Sequence, residues 1–161
     1  MPEIKNKMIL NLILLFSVFA LIAAYFIQYV LKHQPCNLCL IERIPYIFSI
    51  IIISICLFTR KFEKLSLLVL SLIFFSATLI SFYHFGIEQG FIRESLVCDL
   101  NIESNNLSKE ALLNQLKTLS VSCKDVTFKI FGLSLATFNI FFTLILGVII
   151  TKLFLTYEKN R

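Results

Sequence analysis

Charged residues are scarce in this chain, and their scarcity excludes an ordinary soluble domain. They make up 16% of the 161 residues, whereas hydrophobic residues make up 58% and the mean hydropathy is +0.85. Tryptophan is absent, so the aromatic content comes from 17 phenylalanines and 5 tyrosines. The phenylalanines are most simply lipid-facing and packing residues. No internal repeat or low-complexity tract divides the chain, and the composition predicts a single integral membrane domain over residues 1–161.

Four runs without a charge account for the high hydropathy. A helix needs about 20 apolar residues to span a bilayer, with about 17 as the lower bound. Three of the runs meet this length, namely 8–30, 65–85 and 130–151. The second run, 44–58, meets it only if Leu40 to Arg43 join it. We therefore predict an all-α membrane protein, a four-transmembrane-helix bundle. The predicted spans are 8–30, 40–58, 65–85 and 130–151, and the predicted outer loops are 31–39 and 86–129.

Lysine and arginine indicate the orientation of these spans. The amino terminus, the loop 59–64 and the tail after residue 151 carry net charges of +1, +2 and +2, which account for the whole formal charge of +5. On the other face, seven basic residues are balanced by seven acids. The positive-inside rule therefore predicts that both termini are cytoplasmic. Because the basic excess is a topology signal, we predict no nucleic-acid partner.

A cleaved signal peptide over residues 1 to about 24 is an alternative for the first run. Lys5 and Lys7, followed by the small residues Ala20, Ala23 and Ala24, favour it. The apolar run has 23 residues, whereas the apolar region of a signal peptide usually has about 7–15. A retained membrane span is therefore the preferred interpretation.

Four of the five cysteines lie in the predicted outer loops, on the face where disulfides persist. Cys36 and Cys39 lie in the short loop, and Cys98 and Cys123 in the long one. A disulfide between the first two would stabilise little, about 1.9 kcal/mol against about 3.5 for a loop of about 26 residues. Such a pair more often performs disulfide exchange, electron transfer or metal capture. Cys56 would lie about 25 Å beyond Cys39 along a helix, and we predict that it is a packing residue.

Arg43 is the first candidate partner of these thiols. We expect Cys39 at, or just before, the start of the second helix, where free N–H groups favour a thiolate. A continuous helix would place Arg43 on the same face, where a guanidinium can stabilise a thiolate and hold an oxygen-rich electron acceptor. Alternatively, Arg43 snorkels to the interface or pairs with Glu42. Pro45 either kinks this helix or lies in the first turn of a helix starting near Arg43, which would weaken the spacing argument.

His84 and Glu88 close the third span, four residues apart, where an ionisable pair can contribute to a site. The alternative is that His84 is an ordinary interface residue. The long loop carries a leucine stripe that predicts a short helix, lying either on the bilayer surface or on neighbouring loop residues. In both cases the helix brings the segment between the loop cysteines close to the membrane. The stripe is Leu112, Leu113, Leu116 and Leu119.

Three segments, in order along the chain, resemble the DsbB family of disulfide-bond formation proteins. The stretch 36–46 resembles the family's C-x-L-C-x-x-[EQ]-R segment with its Pro-Tyr extension. The stretch 83–88 is similar to the Y-H-x-G-[VI]-E segment of many members. The stretch 123–126, leading into 132–136 and Asn139, resembles the entry into the last span. The resemblance covers essentially the whole chain.

This resemblance implies a relay in a bacterial inner membrane with the four cysteines on the periplasmic side. The Cys98–Cys123 disulfide would reoxidise a DsbA-like thioredoxin-fold partner, with Cys98 forming the mixed disulfide. Electrons would then pass to the other pair and on to a membrane quinone, ubiquinone or menaquinone. In this scheme Cys39 is the thiolate that faces the quinone, and Cys36 is its exchange partner.

The resemblance also assigns the cofactor contacts. Arg43 would lie against the quinone ring, and His84 is a weaker candidate for the same pocket. Phe128 stands where many members have a tryptophan after the second loop cysteine, so the quinone preference is not transferred to this chain.

Three other interpretations are compatible with the residues alone. A metal-handling protein would use Cys36, Cys39, Cys98 and Cys123 as a thiolate cage, although the second pair is spaced too widely for a zinc ribbon. A structural protein would use the same cysteines to staple its outer loops. A vitamin K epoxide reductase-like enzyme also couples thiols to a quinone, but the motif order fits DsbB better. We predict the thiol–quinone oxidoreductase, with no resident metal.

Overall fold

The computed structural model describes residues 2–59, 63–93, 123–124, 129–130 and 132–159. Within these ranges the chain forms five helices and one two-stranded hairpin. The elements are α1 (Pro2–Tyr29), α2 (Asn37–Ile41), α3 (Ile44–Thr59), α4 (Glu63–Glu88), β1 (Lys129–Ile130), β2 (Leu133–Ser134) and α5 (Leu135–Lys159). Cys98, Phe128 and the leucine stripe of the long loop lie outside the described residues.

In the part of the chain that the structure describes, four segments are long and apolar enough to cross a membrane. They are Lys7–Tyr29, Asn37–Thr59, Glu63–Glu88 and Leu135–Tyr157. The predicted class, an all-α membrane protein with four spans, is therefore confirmed. Many large apolar side chains on these helices are exposed, including Phe58 and Leu79, as expected for surfaces that contact lipid.

The second span consists of two helices, α2 and α3, separated by a turn at Glu42 and Arg43. Pro45 lies in the first turn of α3, where its missing N–H removes no helical hydrogen bond. The cysteine pair and Arg43 therefore do not share one continuous helix. The chain becomes helical at Asn37, three residues before the predicted span, because Cys36 acts as the N-cap of α2.

Packing is closest between α4 and α5, between α1 and α3, and between α3 and α4. The ring centroids of Phe16 in α1 and Phe142 in α5 lie 5.0 Å apart. α1 therefore also contacts α5, and each of the four spans has two neighbours. The interior, here called the bundle core, is apolar and includes the free thiol of Cys56, as predicted. The bundle core comprises Leu10, Ile13, Tyr46, Ile53, Cys56, Leu67, Leu70, Phe74, Leu146, Ile150 and Leu153.

Hydrogen bonds between neutral side chains link the spans within this apolar interior. Such bonds average about 0.6 kcal/mol each between helices in a membrane, and they keep hydroxyl and amide groups satisfied where water is absent. Tyr46 on α3 donates to Asn139 on α5, which donates to Ser81 on α4. The other pairs are Ser49 with Ser17 (3.0 Å), Thr78 with Thr143 (3.0 Å) and Ser71 with Thr151 (2.7 Å).

The end of α4 is set by Gly90, whose φ of 77° lies in the left-handed region. The N–H of Phe91 donates to the carbonyl of Gly86 at 2.9 Å, which is the long hydrogen bond of a Schellman motif. The chain then folds back over Gly86, where an added Cβ would meet Ile92 Cδ1 at 2.6 Å. α4 therefore stops just after Glu88 and presents its last two turns beside α2.

A short hairpin precedes the last span. Lys129 pairs with Ser134 and Ile130 with Leu133, and Gly132, with a φ of 82°, lies in the turn. The last helix consequently begins at Leu135 rather than at residue 130, because the intervening residues pair as strands. This hairpin was not predicted, because an apolar run with one glycine near its start is equally compatible with the start of a helix.

Candidate active site

Cys36 and Cys39 lie side by side at the start of the second span. Their Sγ atoms are 2.7 Å apart, and both thiols are free. Cys36 is buried and Cys39 is half-buried. Because Cys36 caps α2, its sulfur accepts the backbone N–H of Cys39 at 3.3 Å. The pair is therefore held in a geometry from which a disulfide can close with little movement.

The surroundings of Cys36 favour its thiolate. The hydrogen bond from the Cys39 thiol is the largest cause, and it lowers the pKa of Cys36 to about 5. Burial opposes this shift, while His84 and the backbone N–H of Cys39 add to it. Sequence reasoning expected the helix start to act on Cys39, whereas the observed helix start places the N-cap position at Cys36.

His84 contacts this thiol from α4. Its Nε2 atom lies 3.5 Å from Sγ of Cys36, and its Nδ1 atom lies 3.0 Å from Oε1 of Glu42. Because a carboxylate can only accept a hydrogen bond, Nδ1 is the donor and Nε2 faces the sulfur. The side chains of His84 and Glu42 are 3% and 10% exposed, so water competes little for either contact.

Glu88 completes the polar group around His84. It lies one turn further along α4, and its Oε1 atom is 3.7 Å from Nε2 of His84. The pair of ionisable residues that the spacing of four predicts is therefore observed, and both side chains are buried. His84 is buried and lies against the cysteine pair, which favours a place in the site over the alternative of an ordinary interface residue.

Arg43 lies apart from this group. Its Nη1 atom donates to Oε1 of Gln28 at 2.5 Å, and its guanidinium lies over the ring of Tyr25, 4.9 Å from the centroid. Both partners belong to the end of α1. Arg43 is therefore held between α1 and α3, and Glu42, considered as its partner from the sequence, bonds to His84 instead.

Cys123 joins the first cysteine pair through packing. It is buried, disulfide-bonded and part of one apolar cluster with Cys36. Its predicted partner, Cys98, lies outside the described residues. We call this group the cysteine cluster; it comprises Cys36, Leu38, Cys39, Tyr83, Ile87 and Cys123. The structure thus brings one cysteine of the long loop to the pair in the short loop.

Glu42 is the functional residue that sequence reasoning missed. It was considered only as a neighbour of Arg43, yet it is buried and bonded to the imidazole that faces Cys36. The available signal was its position: an acidic residue within a membrane span is expensive, and it usually has a buried partner. The turn between α2 and α3 was needed to show that the partner is on α4.

The arrangement suits thiol chemistry. A stabilised thiolate, an adjacent thiol and a carboxylate-oriented imidazole can exchange disulfides and accept a proton as a thiol is oxidised. The same sulfur and nitrogen atoms lie within 4.8 Å of one another, so this group could also hold a metal ion.

Comparisons with known proteins agree with this chemistry. The family model described as "Disulfide bond formation protein DsbB" matches residues 6–153. A protein of Rickettsia prowazekii (strain Madrid E), named "Uncharacterized protein RP370", is 31% identical over 156 residues, which are 95% of this chain and 90% of the relative. No solved structure matches this chain significantly.

Proposed function

This chain belongs to the DsbB family of disulfide bond formation proteins, and from that premise we propose that it is a thiol–quinone oxidoreductase. It reoxidises a DsbA-like thioredoxin-fold protein and passes the electrons to a membrane quinone. The observation that carries the proposal is the contact of Cys36 with both Cys39 and His84, in a cluster that also contains Cys123.

The first half of the relay is disulfide exchange. The reduced partner attacks Cys98 of the Cys98–Cys123 disulfide, and its second thiol then resolves the mixed disulfide, leaving both loop cysteines reduced. The thiolate of Cys123 next attacks Cys36 in the Cys36–Cys39 disulfide, and Cys39 leaves as a thiolate. Cys98 then displaces Cys36, which restores the loop disulfide and leaves the first pair with two electrons. Packing of Cys123 with Cys36 supports the central step.

The second half removes electrons and protons from the first pair. Hydrogen bonds to Cys36 favour its thiolate, and Nε2 of His84 is placed to take up a proton as that thiol ionises. Glu42 holds the imidazole so that Nε2, rather than Nδ1, faces the sulfur. When Cys36 and Cys39 re-form their disulfide, each sulfur gives up one electron.

A quinone supplies the electron sink, since it takes up two electrons and two protons. The residues near Arg43 fit a quinone. The Arg43 guanidinium is a cation that can donate hydrogen bonds to the carbonyl oxygens of a quinone, and apolar side chains lie close to it in the sequence. Leu40, three residues before it, and Ile44, directly after it, are 44% and 45% exposed. Arg43 would hold a quinone oxygen, Cys39 would be the sulfur on that side, and His84 would border the pocket. The quinone type, ubiquinone or menaquinone, is left to experiment.

We further propose that the protein is a multi-pass protein of the bacterial inner membrane, with cytoplasmic termini and periplasmic cysteines. The positive charge on the termini and on the loop 59–64 supports this orientation. Labelling of intact cells with a membrane-impermeant maleimide tests it. Single-cysteine variants retaining Cys39, the more exposed thiol of the first pair, or Cys98 should both be labelled from outside, and labelling from opposite sides would exclude the relay.

The activity is tested by anaerobic incubation of the detergent-purified protein with a reduced thioredoxin-fold partner and either quinone. We expect quinone reduction, followed optically, to proceed with stoichiometric oxidation of the partner. Cys56→Ser is the matched control, because it removes a buried thiol from the bundle core and should retain turnover. If the cysteines only staple loops, Cys36→Ser will lower the Tm and leave partner oxidation unchanged.

A further inference from the structure

One buried oxygen of Glu88 has no partner. Among the described residues, its Oε2 atom is the buried side-chain nitrogen or oxygen that makes no hydrogen bond, although the side chain is only 6% exposed. The nearby hydroxyl of Ser134 interacts with the Glu88 carboxylate and with Oγ1 of Thr137, but no hydrogen bond reaches Oε2 itself. Leaving such an atom unsatisfied costs about 1–3 kcal/mol or more, so this position would gain from a ligand.

A group of three other donor atoms adjoins this carboxylate through Nε2 of His84, which lies 3.7 Å from Oε1 of Glu88. Sγ of Cys36, Sγ of Cys39 and Nε2 of His84 all lie within 4.8 Å of one another. Because Nδ1 of His84 is used by Glu42, Nε2 is the nitrogen that faces the sulfur and the carboxylate of Glu88. Metal sites commonly have this arrangement, in which a carboxylate orients the histidine that binds the ion.

We propose that the reduced Cys36–Cys39 pair, together with His84 and Glu88, binds one divalent cation of the zinc class. Thiolate sulfur, imidazole nitrogen and carboxylate oxygen are the atoms that zinc takes in proteins. Harder ions such as Mg²⁺ or Ca²⁺ prefer all-oxygen ligands, so the two sulfurs select against them.

Of the six separations between the ligands of a tetrahedral ion, the structure matches one closely and a second approximately. Zinc–sulfur bonds of about 2.3 Å and zinc–nitrogen bonds of about 2.0 Å separate sulfur from nitrogen by about 3.5 Å and two sulfurs by about 3.7 Å. The separation from Cys36 Sγ to His84 Nε2 is 3.5 Å, and that from Nε2 to Glu88 Oε1 is 3.7 Å. The two sulfurs, now 2.7 Å apart, must separate by about 1 Å.

Binding at this site depends on the oxidation state of the cysteines. Any protons still held by the two thiols and by Nε2 of His84 are released to solvent as the cation binds, and no electrons are transferred. The disulfide form offers no thiolate, so it cannot hold the ion, and a bound ion keeps the disulfide from closing. That the ion then inhibits turnover rests on the proposed function, whereas its binding does not. The site also differs from a four-cysteine cage, because Cys123 is disulfide-bonded.

Zinc binding to the full-length chain in detergent tests the proposal without quinone or thiol partner. Substituting Cys56, Cys98 and Cys123 by serine leaves only the first pair to be reduced by a phosphine or oxidised by diamide. Zn²⁺ is then titrated against a chromophoric chelator. We expect one equivalent to bind to the reduced form, at least about a hundredfold weaker binding to the oxidised form, and two sulfurs with two nitrogen or oxygen ligands at the zinc X-ray absorption edge.

Variants of two glutamates on α4 complete the test. Glu88→Gln should weaken Zn²⁺ binding about tenfold or more, because loss of a carboxylate that merely supports a ligand already costs about 10–100-fold in affinity. Glu63→Gln, at the opposite end of the same helix, should leave the affinity unchanged. Equal affinity of the reduced and oxidised forms, or a spectrum without sulfur ligands, would overturn the site. An unchanged affinity in Glu88→Gln would overturn the four-ligand assignment even if a His84 variant fails to fold.

Discussion

The bundle core and the cysteine cluster are both buried, yet they contain different kinds of polar group. In the core, the polar side chains are hydroxyls and amides, and pairs such as Ser49 with Ser17 satisfy one another across two helices. Beside the cysteine cluster, Glu42, His84 and Glu88 are ionisable, and one oxygen of Glu88 is left without a partner.

This difference indicates that the bundle core contributes mainly to stability and the cysteine cluster mainly to chemistry. Neutral paired groups cost little in a membrane and hold helices together. Buried ionisable groups are costly, and they are retained where charge or protons must be handled. We therefore expect substitutions in the core to change the free energy of unfolding, and substitutions in or beside the cysteine cluster to change turnover.

The largest expected effect is that of Cys36→Ser. Turnover with quinone should fall at least about a thousandfold, as for deletion of other nucleophiles, because no disulfide can form with Cys39. The Tm should change little, since serine is itself a good N-cap for α2. Optical quinone assays and thermal unfolding of the same preparation check both outcomes. If Cys36→Ser instead lowers the Tm strongly and the folded protein keeps its turnover, the proposed distinction between the two regions is wrong.

Phe74→Ala is the corresponding change in the core. Phe74 has no exposed surface, so its truncation should lower the free energy of unfolding by about 3–5 kcal/mol. The folded fraction should keep its turnover per molecule. Phe82→Ala on the same helix is the matched control, because that ring is 63% exposed and should cost much less. Denaturant titration in detergent measures both, and equal losses would contradict the assignment of Phe74 to the core.

His84→Gln tests the electrostatics of the first thiol. Because the lowered pKa of Cys36 is about 5, its thiolate is fully formed at neutral pH and is lost as the pH falls through 5. Removing the imidazole should move this transition upward, towards the ordinary thiol value of about 8.5. Thiolate ultraviolet absorbance against pH, in chelator-treated protein with only Cys36 and Cys39 present, measures the shift. An unmoved transition would mean that His84 does not act on this sulfur.

Arg43→Ala addresses the cofactor contact. We expect the apparent KM for quinone to rise at least about tenfold, a loss of about 1.4 kcal/mol. Gln28→Ala, which removes the hydrogen-bond partner of Arg43, should raise the KM less. Initial rates over a range of quinone concentrations give the apparent KM of each variant. With an unchanged KM, Arg43 would serve only to anchor α3 to α1.

Ser49→Ala should have the smallest effect of this series. It removes the hydrogen bond to Ser17 and should lower the free energy of unfolding by about 0.6 kcal/mol, the average for such bonds in a membrane. Turnover should be unchanged, because the bond lies in the interior of the bundle. Unfolding in denaturant together with the quinone assay checks this, and a clear loss of turnover would link the core to the chemistry.

Local patterns were sufficient to predict much of this protein. The length of the charge-free runs predicted four spans because a helix must be long enough to cross the hydrocarbon layer. The spacing of His84 and Glu88 predicted their contact because residues four apart share a helix face. The packing role of Cys56 followed from its depth along the second span.

Contacts between distant segments were beyond those patterns. The pattern of apolar residues within one run does not determine which face of that helix contacts which neighbouring helix. A turn at Glu42 and Arg43 separates α2 from α3, and from this turn Glu42 bonds to His84 on α4 and Arg43 bonds to Gln28 on α1. The hairpin 129–134 depends on pairing rather than on local hydropathy, so it too was not foreseen.

The amino-acid order alone thus required a four-span membrane helix bundle and placed two thiols near one end of it, because hydropathy and residue spacing are local properties. Assembly of the helices chose which thiol is stabilised as an anion, which acid orients the histidine and which loop cysteine lies nearby. Those choices depend on side chains up to 93 positions apart in the chain, such as Tyr46 and Asn139, being brought into contact by packing.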